Sequence, residues 1–108
     1  MWPKSTVTTN GGDIVLSGGT DPMTGYARSA GSTTDYIGVN LYGNVNSNGG
    51  DITIRGESAA NTPNAADYYR MGIYIAVTVS SGAGDINLDG RVNTSTTATY
   101  TFQCGILF

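Results

Sequence analysis

Gly49-Gly-Asp-Ile-Thr-Ile-Arg-Gly56 decides the fold, because its pattern occurs twice more, as Gly12-Asp-Ile-Val-Leu-Ser-Gly18 and Gly84-Asp-Ile-Asn-Leu-Asp-Gly90. Apolar residues alternate with others in each copy, the period of a strand with one buried face. Ile14 and Leu16, Ile52 and Ile54, and Ile86 and Leu88 are therefore expected to face the core, with Val15, Thr53 and Asn87 on the other side. A second element recurs as Ile37-Gly-Val-Asn-Leu41, Met71-Gly-Ile-Tyr-Ile75 and Cys104-Gly-Ile-Leu-Phe108. The same alternation points Ile37, Val39, Leu41, Met71, Ile73, Ile75, Cys104, Ile106 and Phe108 inward.

The step from the glycine of the second element to the next aspartate is 13 residues both times, Gly38 to Asp51 and Gly72 to Asp85. A constant step couples the two elements rigidly, through a third short strand around Val45 and Val79, and Val7 holds the same place before Asp13. The return step varies, at 25, 21 and 20 residues, and is rich in Ser, Thr, Ala and Asn, so insertions belong there. Copies of this size cannot bury an apolar face alone but do so when stacked. The expected fold is all-β: a parallel β-helix, or β-solenoid, of about three coils with three short strands per coil and variable loops on one side. The approximate repeats are residues 5–42, 43–76 and 77–108, and glycines are expected at the corners. Three coils at the usual strand spacing rise only about 14 Å, leaving two strand edges exposed.

Composition agrees with strands and turns. Only 12% of the 108 residues are charged, while glycine alone accounts for 16. The net charge is −3, and Lys4, Arg28, Arg55, Arg70 and Arg91 are scattered, which argues against a nucleic-acid surface. With no histidine and one cysteine, Cys/His zinc sites, histidine triads and an internal disulfide are excluded. The longest apolar stretch, Met71 to Val79, is too short for a spanning helix, and no membrane insertion is expected. The N-terminus lacks the regions of a signal peptide, so a secretion signal would lie outside this chain.

The residues Gly11-Gly-Asp-Ile14, Gly49-Gly-Asp-Ile52 and Gly84-Asp-Ile86, with Ile37-Gly-Val39 and Met71-Gly-Ile73, resemble the β-strand repeats of filamentous-haemagglutinin-like and autotransporter adhesins. The resemblance implies a secreted or bacterial cell-surface protein, part of an adhesin, fibre or stalk. It also implies partners among glycans or host-surface proteins. Such proteins normally run to many coils and carry a secretion domain, and neither is present here.

Several residues invite a chemical reading. Asp85, Asn87, Asp89 and Gly90 match the start of a calcium loop, which would make calcium the one cofactor to consider, but Thr96 stands where a bidentate acid is required. Asp13, Asp51 and Asp85 would form a ladder of like charges, which is unfavourable unless each carboxylate accepts backbone N–H groups in its own turn or a cation lies along the ladder. Asp21, Asp35, Glu57 and Asp67 fall in variable loops with no recurring basic partner, so no enzyme is expected. Tyr26, Tyr36, Tyr68, Tyr69 and Tyr100 lie in or beside those loops and form either a contact surface or a shield for a thin core. Cys104, aligned with Ile37 and Met71, is expected to be a small apolar core residue. The open edges suit head-to-tail stacking of copies into a filament. The alternative is a carbohydrate-binding or carbohydrate-cleaving β-helix of the tail-spike kind.

Overall fold

The computed structural model describes residues 1–29, 36–59, 70–93 and 103–108, Gln103 by its backbone alone. The strands are β1 (Val7–Thr8), β2 (Ile14–Leu16), β3 (Ala27–Arg28), β4 (Val39–Leu41), β5 (Val45–Asn46), β6 (Ile52–Glu57), β7 (Arg70–Ile75), β8 (Val79–Ser80), β9 (Ile86–Arg91) and β10 (Gln103–Leu107). No helix occurs among the described residues. The protein is all-β, and every ladder between these strands is parallel.

Three sheets result, in the orders β1-β5-β8, β4-β7-β10 and β2-β6-β9, with β3 also paired to β6. Each takes its strands in turn from the first, second and third repeats. The register is the one the alternation requires: Val7↔Val45↔Val79, Ile14↔Ile52↔Ile86, Leu16↔Ile54↔Leu88 and Val39↔Ile73↔Ile106. Pairing like with like puts every apolar column on one side. Ile14, Val39, Leu41, Val45, Ile52, Ile54, Ile73 and Ile75 form a single buried cluster, with Leu16, Leu88 and Ile106 packed half-buried against it.

Two members of the expected core are exposed, and Ile37 is half-buried and outside the cluster. Ile86 pairs with Ile52, yet it is 42% exposed where Ile52 is 0%, because β9 is the last rung of its sheet and no described residue covers it. Phe108 follows the last residue of β10 and is 81% exposed. Cys104 is half-buried opposite Met71.

The first repeat departs from its alignment with the others. Its copy of the strand stops at Leu16, and the partner of Gly56 is Ala27, not Gly18. Residues 17–26 are an insertion that leaves the sheet opposite Arg55, and the strand resumes as β3. The glycines act in two ways. Among the described glycines, positive φ is confined to Gly11, Gly19, Gly49 and Gly82. Gly72 has no such φ. It is required because a Cβ there would lie 2.3 Å from Arg91 N, 2.6 Å from Gly56 O and 2.7 Å from Gly105 O, so two sheets touch backbone to backbone.

The end-rung effect separates two identical residues in one column. Ile52→Ala should cost about 2–5 kcal/mol, and Ile86→Ala under about 1.5 kcal/mol, in urea unfolding followed by circular dichroism. Equal losses would mean that the third rung is covered after all.

Candidate functional site

The insertion of the first repeat is a built loop. Asp21 starts it with an Asx turn, its Oδ1 accepting the Met23 N–H at 3.0 Å, while its carbonyl accepts the amides of Thr24 (3.2 Å) and Gly25 (2.7 Å). The Ser17 hydroxyl donates to Pro22 O at 2.6 Å. The arms of the loop close so tightly that a Cβ on Gly25 would fall 1.8 Å from Gly18 O, so only glycine fits there. Arg55, standing on β6 where the strand of the first repeat is missing, donates through Nε to Gly25 O (3.0 Å) and through Nη2 to Thr24 O (3.1 Å).

The loop carries Tyr26 onto the outer face of the β6–β9 sheet. The guanidiniums of Arg55 and Arg91 lie 4.5 and 3.7 Å from its ring centre. Its hydroxyl donates to Asp89 Oδ2 at 2.7 Å, and the same oxygen pairs with Arg55 Nη1 at 3.0 Å. The bond to Asp89 holds the Tyr26 pKa above its usual value, aided by desolvation and the charge of Asp89 and opposed by Arg55 and Arg91.

Two residues along the strands, the register Arg28↔Glu57↔Arg91 lines up a second charged row. Glu57 Oε1 pairs with Arg28 Nε at 3.1 Å, and Oε2 with Arg91 Nε. Glu57 was expected in a loop without a basic partner. It lies instead at the end of β6 between two arginines, because the pairing of three repeats places them on either side of it. A cleft of about 450 Å³ opens beside this row, lined by Gly18 to Asp21, Thr24 to Arg28 and Arg91.

The other expected site residues separate. Tyr36 is buried, its ring 4.5 Å from the guanidinium of the buried Arg70, and packs with Ala59, so it shields the core and presents no contact surface. Tyr68, Tyr69, Tyr100, Asp35, Asp67 and Thr96 lie outside the described residues. Asp85 precedes β9, and Asn87 and Asp89 lie within it. Alternate residues of a strand stand about 6.6 Å apart, too far for three to close on one ion at about 2.4 Å. Among the described residues no three His, Cys, Asp or Glu side chains are grouped to hold a metal.

The aspartate ladder forms, with a different donor from the one expected. Asp13 Oδ1 accepts the amide of Asp51 at 2.9 Å, and Asp51 Oδ1 that of Asp85 at 2.8 Å, so each carboxylate bonds the equivalent residue one rung on. A second recurring device has its signal in the sequence, a hydroxyl residue at one fixed place in each repeat. Thr9, Ser47 and Ser81, each four residues before the aspartate, donate their hydroxyls to the carbonyls of Gly12, Gly50 and Gly84. Comparison of the chain with family models, curated proteins and solved structures returns no match.

Because the neutral Tyr26 phenol is the form that donates to Asp89, the fold gains from it below the ordinary tyrosine pKa of about 10 and loses that gain as pH rises through the elevated value. In alkaline absorbance titration, the trace of the wild type minus that of Tyr26→Phe should have its midpoint above 10, and Asp89→Asn should lower it. A midpoint at or below 10 would show that the hydroxyl does not donate to Asp89 in solution.

Proposed function

We propose that the chain is a segment of an extracellular, non-enzymatic β-solenoid, structural or adhesive in role. In this reading the three parallel sheets are faces of one coil, and the end rungs take further rungs. One observation carries it: the carboxylate of each aspartate bonds the amide of the next, from Asp13 to Asp51 and from Asp51 to Asp85. The bond points one way along the stack. At the last rung the Asp85 carboxylate has no partner among the described residues, and Ile86 beside it is exposed. These are the groups that Asp51 and Ile52 offer to the rung beyond them. The next rung comes from more of the same polypeptide or from a second copy presenting Asp13.

A second copy meets one obstacle. Pro3 O accepts the Tyr42 amide at 3.0 Å as Leu41 O accepts the Ala76 amide at 3.2 Å. Residues 1–3 thus hold on β4 the place that residues 39–41 hold on β7. By the same register residues 106–108 are their equivalents, so in a full head-to-tail stack the end of one copy and the start of the next claim one slot. Stacking in register requires residues 1–3 to leave β4.

Negative-stain electron microscopy across a concentration series tests this. Filaments are expected, at lower concentration when residues 1–3 are deleted, and at about tenfold higher concentration or not at all for Ile86→Lys, since a lysine on an edge strand opposes pairing. Monomers throughout, with and without the deletion, would eliminate copy-on-copy assembly and leave the longer coil of one polypeptide.

A further inference from the structure

We infer that Arg28 and Arg91, held by Glu57 at the mouth of the 17–26 loop, form a binding site for a carboxylate-bearing sugar, of the uronic acid class. The Glu57 side chain is only 7% exposed, whereas those of Arg28 and Arg91 are 62% and 49% exposed. Both arginines pair with Glu57 through Nε, and Arg91 donates its Nε–H there, so the four Nη N–H donors of each guanidinium lie outside these pairs. Their Nη groups have no hydrogen-bond partner among the described residues. Two cations on one carboxylate leave an excess positive charge beside the cleft, and the shared anion orients both guanidiniums before any ligand arrives. A carboxylate matches such a planar donor set better than a point charge does.

The far wall selects among carboxylates. It is the loop itself, held in place by Arg55, and it presents Asp21, whose Oδ1 already accepts the Met23 amide, with Thr20 and Thr24. Asp21, which lines the same cleft, brings a carboxylate that accepts hydroxyl groups and repels a second anion. A neutral sugar leaves the arginine pair unmet, and an acidic peptide sets its charges against Asp21. A uronate supplies one anion and several hydroxyl donors, and a cleft of about 450 Å³ is of the size that holds small ligands. The site does not depend on how the chain assembles, since all its groups come from one copy.

Titration calorimetry of the full chain in low salt tests this, with galacturonic acid, neutral galactose and a tetraglutamate peptide as probes. Saturable binding is expected for the galacturonate alone. Arg28→Gln should weaken it about tenfold or more, and Arg28→Lys nearly as much, since lysine keeps the charge and loses the fork. Arg91 still pairs with Glu57 in both variants, and circular dichroism should be unchanged. Lys4→Gln, the same loss of charge away from the cleft, should leave binding intact. Absence of saturable galacturonate binding, equal binding of tetraglutamate, or equal weakening by Lys4→Gln would each overturn the assignment.

Discussion

The structure depends on a single constraint, the parallel register in which each repeat lies on the next. Ile52 pairs with Ile14 on one side and Ile86 on the other, and that alignment decides the direction of every neighbouring side chain. A slip of one residue would turn the apolar columns outward and bring Thr53 and Asn87 in. The polar devices hold the same register. The carboxylate of one aspartate fits the amide of the next only when the two are in line, and the hydroxyls of Thr9, Ser47 and Ser81 tie each turn to the glycine that follows. Hydrophobic burial drives the stacking, and these directional bonds make it unique.

The same register organises the outer face. Residues that alternate out of the core are brought into rows across three repeats, so Arg28, Glu57 and Arg91 become neighbours, as do Arg55 and Asp89. Exposed ion pairs contribute little to stability individually. Their consequence here is geometric: a nearly buried glutamate holds two half-exposed arginines side by side, and Arg55 fixes the loop that walls the cleft. The insertion thus replaces a piece of strand with a concave surface, while β6 continues beneath it.

Thinness accounts for the remaining features. At Gly72 two sheets touch through backbone alone, so there is no room for a second layer of side chains. No described residue lies beyond the last rung, and Ile86 and Phe108 there are exposed. Buried Arg70 and Tyr36 close another border by pairing a cation with an aromatic face. The edge of β4 is lined by residues 1–3.

What the sequence by itself determined was the periodic part. Alternation assigns a face to Ile14, Ile52 and Ile54, the 13-residue step ties the strands together, and recurrence names the partners, because each of these is local and repeats. Only the tertiary structure decided what lies between repeats. The ten-residue insertion hides the register of Ala27, so Gly18 passes for the equivalent of Gly56. The partners of Glu57 come from the other two repeats, Arg91 being 34 residues away, and no local pattern marks them. The exposure of Ile86 likewise follows from its place at the end of a stack, since its sequence neighbours match those of Ile52. Periodicity encodes direction and pairing, whereas ends, insertions and charge rows depend on which rung meets which, and that is settled only when the rungs are assembled.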